Sequence, residues 1–198
     1  IRYIARLMAA ELGKKLDEVN LIGVHMGGGI SIAAIKNGRV ADVNNALLGM
    51  GPFSPQRAGA LPIGDLLELA YSGKYTHPQL IKYLTKTAGW MAYLGTDSGI
   101  EVNERIQAGD AKAKLITDAM CYQVAKEVGA CATVLKGKVD AIFFSGGLVY
   151  NEYIVQQIRS RVEFIAPIKL YPGEREMEAL CQGGLRVLNG LEEAMDYN

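Results

Sequence analysis

No charge sign dominates this 198-residue chain: Lys plus Arg and Asp plus Glu stand at 21 each. Without a net field there is nothing to draw it to nucleic acid or to an anionic membrane surface. Histidine is nearly absent, with only His25 and His77, so a His-based metal site has no support. The three cysteines, Cys121, Cys131 and Cys181, are odd in number and form no C-x-x-C pair, which argues against a disulfide framework and fits a reducing cytosol. They fall in helix-like patterns and are expected to be buried thiols. No run approaches the ~20 apolar residues that span a bilayer, and no signal peptide opens the chain; a soluble, cytoplasmic protein is expected. No tandem repeat or low-complexity tract divides residues 1–198, which read as one domain. An initiator Met is lacking too, and residues 1–16 already carry a helical pattern of Ile4, Leu7, Met8, Leu12 and Leu16. A missing upstream half is therefore expected.

What is present is ample apolar content, 49%, arranged with clear periodicity. Residues 21–25, 30–35 and 39–43 read as strands, and Asn37-Gly38 between the last two is a type I′ hairpin signal. Residues 44–62 mix Gly, Pro, Ser and Asn without period and read as a long loop on the surface or over a site. Helical patterns follow at 62–72 and 78–88, with Pro62 and Pro78 near their starts. Residues 93–104 interrupt the pattern before the longest helix, 110–136, striped by Ile116, Met120, Val124, Val128, Cys131 and Leu135 and closed by Gly137. This helix either packs on the sheet, the simpler account, or faces a partner subunit. Residues 139–148 form an apolar run without alternation, the mark of a strand buried on both faces. A helix at 151–161, a short strand at 168–171 and a helix at 174–192 complete a βββαβαβα order with helical insertions.

Three constellations could carry chemistry. His25-Met26-Gly27-Gly28-Gly29 joins two strands, and its glycines expose backbone N–H groups able to wrap phosphate oxygens; the alternative is simply a tight, strained hairpin. It is not a dinucleotide fingerprint, because Ile32 stands where the third glycine of G-x-G-x-x-G belongs and a strand follows. A G-x-x-x-x-G-K-[ST] phosphate loop is missing as well. Ser145-Gly146-Gly147-Leu148 ends the buried strand, where small residues let a base or ribose approach, although a plain strand-to-helix turn has the same look. Two glycine-rich strand tips in one domain point jointly to a nucleotide site. Arg57, in a Gly- and Pro-rich loop, could neutralise phosphoryl or carboxylate charge, or be an ordinary solvated arginine.

Taken with Asp42-Val43-Asn44-Asn45-Ala46, the segment Gly51 to Gly59 (GPFSPQRAG), Tyr93-Leu94-Gly95-Thr96 and Tyr171-Pro172-Gly173-Glu174, these motifs resemble the butyrate kinase branch of the acetate kinase family, within the sugar kinase, actin and heat-shock ATPase superfamily. The resemblance runs the length of the chain and corresponds to the C-terminal half of such a kinase. It implies an actin-like, ribonuclease H-like α/β nucleotide-binding domain with a mixed sheet flanked by helices. It further implies reversible transfer of the ATP γ-phosphoryl group to a short-chain carboxylate, giving an acyl phosphate and ADP with Mg²⁺. By this resemblance Gly27, Gly28 and Gly29 form the second phosphate loop with His25 beside it. Arg57 stabilises the transferring phosphoryl, Ser145, Gly146, Gly147 and Leu148 form the adenosine motif, and Glu176 holds a metal-bound water. The substrate carboxylate is itself the nucleophile, so no enzyme base is implied.

Three departures matter. Gly28 stands where acetate kinases carry asparagine, which together with the proline-rich segment around Arg57 favours the butyrate branch. Ser98 and Ile100 stand where butyrate kinases have aspartate and arginine near the nucleotide, which bears on nucleotide affinity. The family's first phosphate loop and a second catalytic histidine lie upstream of residue 1, and the family favours a homo-oligomer. The alternative from another class is a non-catalytic nucleotide-binding or scaffold relative of the same fold; retention of Arg57 together with HMGGG argues against it.

Overall fold

The Asn37-Gly38 turn and the apolar run around Phe143 meet in one mixed sheet in the computed structural model, which describes residues 1–194. Its strands are β1 (Leu21–Met26), β2 (Ile30–Lys36), β3 (Arg39–Val43), β4 (Ala141–Gly146) and β5 (Ile168–Pro172), in the order β3-β2-β1-β4-β5. The first three form an antiparallel meander, while β4 and β5 add in parallel beside β1. Asn37 and Gly38 both take positive φ, 50° and 71°, as a type I′ turn demands.

Strand periodicity divides the core in two. Ile22, Val24, Met26, Ile30, Ile32, Ala34, Ile142 and Phe144 face the long helix α6 (Ala111–Val134) and α7 (Glu152–Val162), packing on Met120, Val124, Val128, Ile154 and Ile158. Leu21, Ala33, Ile35, Ala141, Phe143 and Tyr171 face α1 (Arg2–Glu11) through Ile4, Ala5, Met8 and Ala9. Each fully buried large side chain here contributes about 1.5–3 kcal/mol. Gly23 cannot be larger, because a Cβ there would stand 2.4 Å from Phe143 Cζ. The expected βββαβαβα order and the packing of the 110–136 helix on the sheet are both observed, and among the described residues no helix is long and apolar enough to cross a membrane.

Between β3 and α6 lie four shorter helices: α2 (Ile63–Tyr71), α3 (His77–Lys86), α4 (Trp90–Leu94) and α5 (Gly99–Gln107). The last occupies a stretch the sequence presents as an interruption. Ser98 starts it, its Oγ accepting from Glu101 N–H at 3.3 Å, and this cap outweighs the unfavourable Gly99. The first helix is shorter than expected, ending before Gly13, whose φ of 66° breaks it. The final helix, α8 (Glu176–Leu188), has no buried residue, so Cys181 is exposed and the expectation of three buried thiols fails there. Cys121 and Cys131 are buried, and desolvation pushes both thiols up to about 12.

Candidate nucleotide and phosphoryl site

The turn from β1 into β2 is the glycine loop itself. Gly27 N–H donates to Gly29 C=O at 2.9 Å, which curls the loop, and the irregular segment after β3 is clamped onto it. Gly28 C=O accepts from Ser54 Oγ at 2.7 Å and from Gln56 N–H at 3.2 Å. Ser54 Oγ in turn accepts from Arg57 N–H at 3.1 Å, and Ser54 C=O accepts from Trp90 N–H at 3.2 Å. Gly89, with φ of 58°, allows this approach, since a Cβ there would stand 1.8 Å from Ser54 O. The Pro- and Gly-rich loop thus holds a fixed shape over the strand tips.

The clamp sets Arg57. Its side chain is half-buried, Nη1 donates to Ala46 C=O at 3.0 Å, and Nε is buried with no partner. The guanidinium lies on Gly29, where a Cβ would stand 2.2 Å from Nη1. Arg57 is thus fixed against the glycine loop, its guanidinium resting on Gly29 and tied to Ala46 C=O.

At the other strand tip, Gly146 takes φ of 96° against Met26, where a Cβ would meet Met26 O at 2.3 Å. The chain then turns through Gly147–Tyr150 to Asn151, whose Oδ1 accepts from Ile154 N–H at 3.2 Å and so caps α7. Gly146 and Gly173 exchange backbone hydrogen bonds at 3.1 Å, which brings Glu174 to the same end of the sheet.

These elements enclose a cavity of about 620 Å³. Gly27 and Gly28 line one side, Gly147, Leu148, Tyr150 and Asn151 another, and Ser98, Ile100, Asn103, Glu104 and Gln107 form the wall from α5. Three lining residues are acidic, Asp97, Glu104 and Glu174, and none is Lys or Arg. Asp97 is tied to the clamp by Gln56 Nε2 at 2.7 Å.

A second cavity of about 330 Å³ lies on the α1 side of the sheet, lined by Tyr3, His25, Ser31, Ser145, Glu174, Arg175 and Glu176 among others. His25 Nδ1 is 3.2 Å from Ser145 Oγ. Burial lowers the His25 pKa, and Glu174 and Glu176 oppose it. The structure therefore brings Gly27, Gly28, Gly147 and Leu148 together, sets Arg57 on Gly29, and separates Ser145, which shares the smaller cavity with His25 and Glu176. The reason is strand alternation: Phe144 faces α6, so Ser145 faces α1. Glu174, which lines both cavities, is marked in the sequence only as the end of the Tyr171–Glu174 motif and with no role, and the α5 residues Asn103, Glu104 and Gln107 are not singled out there. Ser98-x-x-Glu101 was the available sign, as a helix start.

Among the described residues no group of three or more His, Cys, Asp or Glu could hold a metal alone. Glu174 and Glu176, two carboxylates on the smaller cavity, are donors of the kind that Mg²⁺ takes, since it keeps several waters and binds one or two carboxylates together with substrate phosphates.

Known proteins similar to this chain include two curated kinases and several solved structures. Butyrate kinase 1 of Clostridium acetobutylicum is 51% identical over 196 residues, covering 99% of this chain and 55% of that protein. Butyrate kinase 2 of the same organism is 50% identical with the same coverage. The chain spans about half the length of the curated relatives it matches. Among solved structures, acetate kinase from Porphyromonas gingivalis superposes with a TM-score of 0.84 at 24% identity, covering 94% of this chain and 53% of that one. A propionate kinase from Francisella tularensis gives 0.79 at 22% identity, over 89% and 51%. These superpositions show the actin-like fold. Residues 1–172 match the acetokinase family, and the chain belongs to it.

Proposed function

We propose that residues 1–198 are the C-terminal, nucleotide-binding domain of a carboxylate kinase that moves the γ-phosphoryl group of ATP to butyrate or a branched short-chain acid. The observation that carries this reading is the convergence of Gly27, Gly28, Gly147 and Leu148 on one cavity of about 620 Å³, with Arg57 packed on the adjoining Gly29. Identity of 51% to butyrate kinase 1 supports the choice of acid. The non-catalytic alternative has no observation in its favour.

In this reading the glycine loop offers backbone N–H groups to the phosphates, while Leu148 and the α5 wall receive the nucleoside. Arg57, packed on Gly29, contributes its guanidinium charge to the transferring phosphoryl, where stabilisation of charge in a fixed geometry supplies most of the catalysis. A substrate carboxylate oxygen forms the new O–P bond as the bond from phosphorus to the ADP oxygen breaks. No proton moves, so no general base is needed. Mg²⁺, when bound, would neutralise phosphate charge, with Glu174 and Glu176 its water-mediated holders. The acyl pocket then belongs largely to an N-terminal half outside this chain, and the working enzyme is a cytoplasmic homo-oligomer.

The test is acyl hydroxamate formation by the full-length kinase with ATP and acetate, propionate, butyrate or isobutyrate. Preference for butyrate or isobutyrate is expected; no acid-dependent ADP release with any of them would overturn the proposal.

A further inference from the structure

His25 and Ser145 face each other across parallel strands, with Ser31 opposite His25 on the antiparallel side. Ser145 is 1% exposed, and its Oγ has two neighbours: His25 Nδ1 at 3.2 Å and Val24 C=O at 3.4 Å. The other ring nitrogen, Nε2, is turned to the glycine loop, 3.9 Å from where a Cβ on Gly27 would stand. Burial favours the neutral imidazole, which carries one ring proton, so the tautomer decides what the loop meets.

A serine hydroxyl has one proton to give. Donated to Val24 C=O, it would make Ser145 the acceptor of an Nδ1–H and leave a lone pair on Nε2, facing any phosphoryl oxygen in the loop. Donated to Nδ1, it leaves the ring proton on Nε2. The Val24 contact, at 3.4 Å, lies beyond the usual range for O–H···O bonds and the Nδ1 contact is shorter, so the geometry selects the second arrangement; a consequence is an Nε2–H that attracts an anion.

We propose that Ser145 is a positioning residue: by donating to His25 Nδ1 it fixes the Nε2–H tautomer and aims that N–H at the phosphoryl group held by the Gly27–Gly29 loop. The assignment of the anion as a phosphoryl group rests on the function proposed above; the tautomer does not. Ser145→Thr keeps the hydroxyl, whereas Ser145→Ala removes only the hydroxyl.

The experiment is a long-range ¹⁵N–¹H imidazole spectrum of the 198-residue chain, where two histidines make assignment direct and His77→Gln identifies the exposed one. His25 is expected as the Nε2–H tautomer in the native chain and in Ser145→Thr, and as a mixture or Nδ1–H in Ser145→Ala. A native Nδ1–H tautomer, or an unchanged tautomer in Ser145→Ala, overturns the proposal; should Ser145→Ala not fold, the native spectrum still decides. In the full-length kinase, Ser145→Ala should lower kcat about tenfold, the scale of losing a partner that orients a histidine, with nucleotide KM within about twofold, and Ser145→Thr should restore it. Unchanged kcat in Ser145→Ala refutes the positioning role. Absence of acyl phosphate formation by the unsubstituted enzyme refutes the kinase reading instead and leaves the tautomer to the spectrum.

Discussion

The Arg57 guanidinium rests on the bare Cα of Gly29, so close that a Cβ there would stand 2.2 Å from Nη1. Gly29 is thus a seat for the arginine as well as part of a turn. Gly29→Ala must displace the guanidinium, and if Arg57 stabilises the phosphoryl as proposed above, a shift of about 1 Å costs on the order of 10²-fold in rate. Arg57→Ala should cost about 10³-fold. Steady-state kinetics of the full-length kinase check both. A Gly29→Ala enzyme within threefold of the parent would mean that Arg57 acts from elsewhere.

Gly146 and Gly147 are adjacent in the chain and opposite in consequence. Gly146 has φ of 96° and its Cβ would strike Met26 O at 2.3 Å, whereas a Cβ on Gly147 meets nothing within 4 Å. Gly146→Val should therefore destabilise the fold by about 3 kcal/mol or more. Gly147→Val should melt near the parent temperature and lose Mg-ADP affinity, because Gly147 lines the larger cavity. Calorimetric melts and titrations of the 198-residue chain separate the two effects. Full ADP affinity in folded Gly147→Val would move the nucleoside away from this turn.

Local rules carried much of this structure in the sequence. Asn37-Gly38 announces its hairpin because few other pairs accept two positive φ values; at the end of the long helix the expected Gly137 does take φ of 71°, but the left-handed turn already begins at Lys136, φ 56°, one residue earlier than the glycine marks it. Where local rules conflicted, legibility failed: Gly99 beside Thr96-Asp97-Ser98 has the look of a loop, yet the Ser98 cap wins and α5 forms. Ser145 is the instructive member of the site. Strand alternation could have set its face apart from that of Phe144, but the parallel pairing of β1 with β4, which brings it opposite His25, joins residues 120 apart in sequence and has no local signature. For Cys181 the apolar pattern of α8 signals a helix with an apolar stripe, without saying what the stripe meets.

His25 makes stability depend on acid. Its folded pKa is lowered from the ordinary 6.5 by burial, against Glu174 and Glu176. The unfolded chain therefore takes up a proton before the folded one does, so stability is complete above pH 6.5 and is lost as the pH falls from there to the folded value. Urea midpoints measured from pH 7.5 to 5 should decline more steeply for the parent than for His25→Asn, which cannot titrate. Parallel curves would show that the folded imidazole protonates as freely as the unfolded one.

Ile100 is 76% exposed at the mouth of a cavity whose lining holds Asp97, Glu104 and Glu174 and no Lys or Arg. An anionic nucleotide entering it meets like charge that backbone N–H groups and Mg²⁺ must offset. Ile100→Arg places a planar cation at the first turn of α5, where it can stack on a base or pair with phosphate oxygens. Its position at the rim should leave the fold intact. Mg-ADP affinity should rise about fivefold, roughly 1 kcal/mol, the size of an exposed cation–π or ion-pair gain. If the gain comes from phosphate, it should fade as salt rises from 0.05 to 0.5 M; if from stacking on the base, it should persist and be larger for purine than for pyrimidine nucleotides. Unchanged affinity for all of them would place the bound nucleotide out of reach of residue 100.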